Sequence, residues 1–173
     1  MEFLKIVALS VLAAMCYGVA HDQVTARICV EYFTVFHPPV FVTGNPTLLG
    51  FGWGIIATWW MGAFLGVLLA IAARVGRPPK LTCSSLFHPI AILLAAMAIG
   101  ALCSGLTGCI LSRHGTISPP WWVRLRLPQG SYNAFVADWW AHNASDAVAG
   151  FGGVVLCIAI YRKRAGLAKS EQL

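Results

Sequence analysis

Charged residues are scarce in this sequence. Asp, Glu, Lys and Arg make up only 10% of its 173 residues, against about a quarter of an ordinary soluble domain. So few charges cannot cover the surface of a water-soluble globule, and a disordered chain or a coiled coil would need more of them. The composition therefore excludes most soluble classes of protein.

Recognisable catalytic and metal-binding motifs are also missing. The sequence contains no nucleotide-binding loop and no nucleophile elbow, and none of its histidines or cysteines follow HxxxH, HExxH or CxxC spacing. No reaction can be assigned from motifs. We therefore expect a binding or structural function more than an enzymatic one.

Apolar residues are abundant in this sequence. They account for 58% of the chain, and the mean hydropathy is +0.75. They form four blocks, each long enough for a helix that crosses a bilayer, at about residues 3–20, 48–73, 86–111 and 136–161. Open sheet edges cannot face lipid. We predict an all-α integral membrane protein, a four-transmembrane-helix bundle forming one membrane domain over residues 1–173.

The basic residues predict the orientation of this bundle. Eight of the twelve lie at its two termini or in the short second connection, namely Lys5, Arg74, Arg77, Lys80, Arg162, Lys163, Arg164 and Lys169. The positive-inside rule assigns that side to the cytoplasm. We therefore predict cytoplasmic N- and C-termini, a cytoplasmic connection at 74–85, a cytoplasmic tail at 162–173, and outer connections at 21–47 and 112–135. The net charge of +6 then contacts anionic lipid, and we expect no nucleic-acid partner.

Small residues at four-residue spacing predict close helix contacts. The glycines that we expect to pack helices together are Gly54, Gly62, Gly66, Gly100, Gly108 and Gly153. The spacing does not distinguish packing within one chain from packing in a homo- or hetero-oligomer.

Four of the six acidic residues and four of the five histidines map to the outer side of the predicted bundle. The candidate ligand residues are His21, Asp22, Arg27, Glu31, His37, His114, Asp138, His142 and Asp146. Within the fourth predicted helix, Asp138, His142 and Asp146 share one face at i, i+4 and i+8. A carboxylate near the middle of a bilayer costs about 2.5 to 3.5 kcal/mol, so Asp146 should have a partner or a wet cavity. The cluster could be a polar network or a ligand site, and His142 with Asp138 are the candidate metal ligands.

The segment after the first block has several interpretations. Residues 21–37 contain no Gly or Pro, which predicts either a helical extension of the first span or a short interfacial helix, with Arg27 able to pair with Glu31. The first block also has features of a signal peptide, and cleavage after Ala20 would leave His21 as an amino terminus able to chelate a metal such as copper. A disulfide between Cys29 and Cys109 is a further option.

A short stretch resembles other membrane proteins. His21-Asp22-Gln23-Val24-Thr25 is followed by Glu31-Tyr32-Phe33-Thr34, and the pattern is similar to that of bacterial multi-pass membrane proteins with a His-Asp-Gln-aliphatic-Thr stretch followed by Glu-Tyr-Phe-Thr. The resemblance covers about 15 residues. It implies a bacterial inner (plasma) membrane and no particular activity.

The sequence is compatible with three functional hypotheses. The first is a non-enzymatic membrane protein whose outward polar cluster binds an ion, a small solute or a partner. The second is a membrane-embedded enzyme or redox protein that depends on a divalent metal or haem. The third is a packing subunit of a larger membrane complex, joined through the small-residue faces.

Overall fold

The computed structural model describes residues 1–76 and 79–170, and it shows a bundle of α-helices. No strand occurs in those two ranges. The helices are α1 (Glu2–Ile28), α2 (Pro46–Ile56), α3 (Trp59–Arg74), α4 (Ser84–Arg113), the short α5 (Trp121–Arg124) and α6 (Tyr132–Ser170), with a π-helical turn at Tyr32–Phe36 and a 3-10 turn at Gln129–Ser131.

Four helical segments are long and apolar enough to cross a membrane. They are Glu2–Ile28, Pro46–Arg74, Ser84–Arg113 and Gln129–Ala168, of 27, 29, 30 and 40 residues. Large apolar side chains such as Phe51, Phe64 and Phe151 are exposed on the outside of the bundle. The fold is therefore all-helical, as predicted, with an apolar exterior.

The second apolar block is divided into two helices. Pro46 begins α2, and the Asn45 side chain accepts hydrogen bonds from the backbone amides of Thr47 and Leu48 at 2.9 and 3.3 Å. The helix is interrupted between Ile56 and Trp59. Thr58 donates from its hydroxyl to the Gly54 carbonyl at 2.6 Å, a bond that competes with the backbone ladder and bends helices.

The glycines of α2 and α3 contact α1. A Cβ atom added at Gly54 would lie 2.5 Å from the Val19 backbone, and one at Gly62 would lie 2.8 Å from the Ala14 Cβ. A Cβ at Gly66 would lie 2.8 Å from Ser10 Cβ. At these three glycines the small-residue face is therefore covered by α1 within the chain.

The remaining glycines of the predicted set contact α6 or belong to it. Cβ atoms at Gly100 and Gly108 of α4 would lie 3.2 Å from Val148 and 2.9 Å from Trp140, both in α6. Gly153 of α6 faces Leu65 of α3 at 3.0 Å. The missing side chains of these glycines thus make room for Val148, Trp140 and Leu65 where α6 packs against α4 and α3.

The N-terminus, the C-terminal part of α6 and the connection between α3 and α4 lie together at one end of the bundle, which we call the Arg164 end. The backbone amide of Cys83 donates to Glu2 Oε2 at 2.9 Å. Arg164 is fully buried, and its guanidinium donates to the carbonyls of Pro79, Ala72 and Val75 at 2.7, 2.6 and 3.1 Å. This side chain satisfies carbonyls at the C-terminal end of α3, which the helix itself leaves without partners.

Several helices are longer than the predicted spans. The first runs on through residues 21–28, which agrees with a helical extension of the first span. The last begins at Tyr132 and continues through the predicted tail to Ser170, and Arg164 in this extension is buried against the end of α3. Residues 77–78 of the predicted cytoplasmic connection and 171–173 of the tail lie outside the described residues.

Candidate functional site

Three ionisable side chains meet at the opposite end of the bundle, which we call the His142 end. His21 and Asp22 come from α1 and His142 from α6, and one ligand atom of each lies within 4.8 Å of the other two. Asp22 is buried and His21 and His142 are partly buried. We call these residues the His-Asp-His cluster.

Hydrogen bonds define the orientation of His142. Its Nδ1 lies 2.8 Å from the backbone carbonyl of Asp138, and its Nε2 lies 3.3 Å from Asp22 Oδ1. A carbonyl can only accept, so Nδ1 carries the proton and donates. In the neutral imidazole, the lone pair of Nε2 then faces the Asp22 carboxylate.

Aromatic rings hold the two imidazoles of the cluster. The ring of His21 stacks on Tyr17, with centroids 5.8 Å apart, and meets His142 edge-on at 4.5 Å. His21 Nε2 is buried and has no hydrogen-bond partner among the described residues. Tyr17, whose hydroxyl lies 2.8 Å from Ser145 Oγ, was missed by sequence reasoning, although it precedes His21 by one helical turn.

Residues 29–41 fold back over the cluster, and we call them the cap segment. Tyr32 stacks on His142 with centroids 4.5 Å apart, and Phe33 also meets His142 at 5.8 Å. His37 Nδ1 donates to the Tyr32 carbonyl at 2.8 Å, and its ring lies 4.7 Å from that of Trp53. Burial lowers the pKa of His37, although the bond to Tyr32 acts in the opposite direction. The cap segment thus covers the cluster with aromatic rings and a neutral imidazole.

Glu31 and Cys29 anchor the cap segment. Glu31 accepts a hydrogen bond from Ser131 at 2.8 Å and a longer one from the Cys29 thiol at 3.5 Å. Burial acts to raise the pKa of Glu31, but hydrogen bonds from its own backbone amide and from these side chains lower it overall. Burial raises the pKa of Cys29 to about 12, so it remains a thiol. Cys29 is buried and Cys109 is partly buried, and both are free thiols, so no disulfide joins them.

Arg27 does not pair with Glu31, so that prediction is wrong. The guanidinium donates instead to the Gln23 carbonyl, to Gln23 Oε1 at 2.7 Å and to Thr47 Oγ1 at 2.8 Å. The physical reason is that α1 ends at Ile28 and Cys29 adopts an extended backbone, which abolishes the helical spacing between the two side chains. Arg27 therefore ties α1 to the start of α2.

The remaining candidates lie outside the three clustered side chains. Asp138 is fully buried, and neither of its carboxylate oxygens has a hydrogen-bond partner in the described chain. Its backbone carbonyl, rather than its carboxylate, contacts His142. His114 is exposed at the C-terminus of α4. Asp146 lines the cavity described next, one turn beyond His142.

A cavity of about 370 Å³ runs between the helices from the His142 end toward the Arg164 end. The polar side chains at the His142 end of the cavity include Tyr17, His21, Asp22, His142, Ser145 and Asp146, and Ser10 and Thr58 also line it. Farther along, its walls are mostly aliphatic, including Leu65, Leu69, Ile90, Leu93, Leu94 and Leu156. The cavity is therefore amphipathic along its length.

The cluster geometry does not suit haem. The rings of His21 and His142 are only 4.5 Å apart and nearly perpendicular, which leaves no room for a macrocycle between two axial imidazoles. His88 is exposed near the start of α4, at the Arg164 end. A single ion fits between the clustered side chains far better than a porphyrin does.

Comparisons with protein-family models, with curated proteins and with solved structures find no match to this chain. The functional conclusions therefore depend on the sequence and on the geometry of this site.

Proposed function

We propose that the protein is an integral membrane protein of a bacterial inner membrane, whose four long helices cross the bilayer with both termini in the cytoplasm. Eight of the twelve basic residues belong to the termini or to the connection between α3 and α4, which supports this orientation. The His-Asp-His cluster and the cap segment then face the outer side. The apolar exterior of the bundle supports insertion into lipid.

We further propose that its function is to bind a small amphiphile with one hydrocarbon chain and a hydroxyl-bearing head. The observation that carries this proposal is that most polar side chains of the cavity lining lie at the end near His142, whereas the remainder of the lining is mostly aliphatic. A ligand with a polar head and a hydrocarbon chain would place the head among the polar side chains and the chain among the aliphatic ones. This makes the protein a binding protein for a membrane-soluble compound rather than an enzyme.

The dimensions of the cavity favour a single chain. It extends on α6 from His142 to Cys157, which at 1.5 Å per residue is about 22 Å. The cavity is therefore long relative to its volume of about 370 Å³. This elongated shape suits one extended hydrocarbon chain better than two chains side by side.

The chemistry of the polar end favours an uncharged head with hydroxyl groups. Asp146 can accept a hydrogen bond from a hydroxyl, and the Tyr17 and Ser145 hydroxyls can donate or accept one. No Lys or Arg lines the cavity among the described residues. An anionic head would therefore meet two carboxylates, Asp22 and Asp146, without a basic side chain to compensate.

Thiol labelling in intact cells tests the orientation. In a variant without native cysteines, Lys80→Cys should be protected from a membrane-impermeant thiol reagent, and Thr116→Cys, in the connection after α4, should react. Both positions are exposed in the folded chain. Labelling of residue 80 and protection of residue 116 would show that the proposed orientation is inverted.

Native mass spectrometry tests the ligand. We expect the protein, purified in a detergent with two alkyl chains, to bind one molecule of 1-lauroylglycerol and no dilauroylglycerol. Ala149→Phe, which adds a ring to the cavity wall, should abolish binding. The matched control Ala95→Phe, on an exposed position of α4, should not. Equal binding by both variants would refute the cavity as the binding site.

A further inference from the structure

We infer that His21, Asp22 and His142 bind one divalent transition-metal ion at the His142 end of the cavity. The inference rests on the proposed function, because it assigns the ion to the position where the ligand head is expected. Four separate observations support it: the spacing of the ligand atoms, the hydrogen bonding of His142, the unpartnered nitrogen of His21, and the charge of the cavity lining.

The spacing of the ligand atoms is close to that of a metal site. Imidazole nitrogens and carboxylate oxygens bind zinc at about 2.0 to 2.2 Å, so two ligands of a tetrahedral ion lie about 3.3 to 3.6 Å apart. His142 Nε2 and Asp22 Oδ1 are 3.3 Å apart. The His21 nitrogen completes a group within 4.8 Å, which a small rotation of side chains would contract to coordination distances.

The hydrogen bond of His142 prepares its other nitrogen for an ion. Metal-binding histidines usually donate from the non-ligating nitrogen to a carbonyl or carboxylate, which orients the ring and selects the tautomer. His142 Nδ1 makes this bond to the Asp138 carbonyl at 2.8 Å. The lone pair of Nε2 then points at a carboxylate, an arrangement that is repulsive unless a proton or a cation lies between them.

The unpartnered nitrogen of His21 points to the same conclusion. Its Nε2 is buried without a hydrogen-bond partner in the described residues. A buried polar atom that has lost its water costs about 1 to 3 kcal/mol if nothing replaces it. Coordination would replace that water. The ring is already held by the stack on Tyr17 and the edge contact with His142.

The charge of the cavity lining also favours a cation. Asp22 and Asp146 line the cavity, and the described lining contains no Lys or Arg. A divalent ion at the cluster would neutralise the buried carboxylate of Asp22, whose charge costs several kcal/mol when it is uncompensated in a region of low dielectric constant. The rings of Tyr32 and Phe33 reduce access of water from the cap side.

Donor chemistry limits the identity of the ion. Two imidazoles and one carboxylate favour zinc, iron(II), cobalt(II) or nickel(II) over magnesium and calcium, which prefer oxygen ligands. Three protein ligands leave at least one coordination position open. Because the cluster lines the cavity, that position would face the head of a bound amphiphile, and an oxygen of the head could occupy it.

Metal titration of the full-length protein tests the inference. Protein without a polyhistidine tag is treated with a chelator, exchanged into metal-free detergent buffer and titrated with Co²⁺ and Zn²⁺. We expect one ion per chain, with visible Co²⁺ absorption bands that Zn²⁺ abolishes. His142→Ala and Asp22→Asn, which remove proposed ligands, should weaken Zn²⁺ binding by at least the roughly 10- to 100-fold that loss of an outer-shell partner costs. His114→Ala, at an exposed histidine of the same end, is the matched control.

Two further measurements make the result decisive. Thermal unfolding of each metal-free variant shows whether that variant folds. If His142→Ala does not fold, His142→Gln, which keeps a side chain of similar size, replaces it in the titration. Substoichiometric binding, or equal weakening by His114→Ala, would overturn the metal site. Binding of 1-lauroylglycerol by a chain that binds no metal would refute only this inference, and metal binding by a chain that excludes the amphiphile would refute only the proposed ligand.

Discussion

His142 Nε2 lies 3.3 Å from Asp22 Oδ1, although the two residues are 120 positions apart in the chain. The contact joins the first helix to the last at the end of the bundle that the cap segment covers. We predict a coupling between the two side chains of about 0.5 to 3 kcal/mol, the range for residues in direct contact. A double-mutant cycle with Asp22→Asn and His142→Gln, measured by reversible unfolding in mixed micelles, gives its value. Strictly additive effects would show that the contact contributes nothing to stability.

Close contact between α1 and α2 predicts a strong effect at Gly54. A Cβ there would lie 2.5 Å from the Val19 backbone, so Gly54→Ala must separate the helices and should destabilise the fold by about 1 to 3 kcal/mol. A Cβ at Gly150 would meet no neighbouring element of the described chain within 4 Å, and Gly150→Ala should be neutral or stabilising by up to about 1 kcal/mol. Unfolding in mixed micelles compares the two variants. Equal stabilities would argue against the tight packing of α1 on α2.

Burial of Arg164 predicts that the end of α6 contributes to stability. Arg164→Met removes the donor to the carbonyls of Ala72, Val75 and Pro79. Leaving buried carbonyls without partners should cost about 1 to 3 kcal/mol. Arg162→Met, at an exposed position of the same helix, serves as the control and should change stability by less than about 0.5 kcal/mol. Similar apparent melting temperatures for both variants would contradict the capping role of Arg164.

The environment of His37 predicts that the cap segment loosens in acid. Burial lowers the pKa of His37 below its ordinary value of 6.5, so the open cap binds a proton more tightly than the closed cap does. The closed cap is therefore fully stable above about pH 6.5 and loses stability as the pH falls below that value. Asp22 opposes this effect and His142 adds to it.

Hydrogen exchange checks this prediction. After correction for intrinsic exchange rates, peptides from residues 30–41 should exchange faster at pH 5.5 than at pH 7.5. The difference should be much smaller in His37→Gln and unchanged in His114→Gln. A pH response that persists in His37→Gln would show that another group controls the cap segment.

Helical class and approximate spans were predictable because they depend on local composition. Runs of apolar residues near positions 3–20, 48–73, 86–111 and 136–161 predict helices from their length and hydropathy, since a helix pairs its backbone groups within one segment. The ends of the helices were less predictable. The extension of α6 to Ser170 accompanies burial of Arg164 against α3, a contact between distant segments that local composition does not contain.

For the candidate site, too, the residue types could be predicted from the sequence and their contacts could not. Its residue types were identifiable, because ionisable side chains in an apolar chain are costly and few, and His142 and Asp22 were both among the candidates. Helical spacing grouped His142 with Asp138 and Asp146 on one helix. It could not indicate that the Asp138 carboxylate is separate from the cluster or that Tyr32 stacks on His142.

The sequence by itself determined that this chain forms apolar helices and which of its few ionisable residues are candidates for function, because both follow from composition and from the cost of removing charge from water. Only the tertiary structure decided which of those residues meet. The pairing of His21 and Asp22 with His142 depends on how α1 packs against α6 and on the end of α1 at Ile28, after which the chain folds back over the cluster. Those are contacts across long separations in sequence, and side-chain packing rather than local preference selects them.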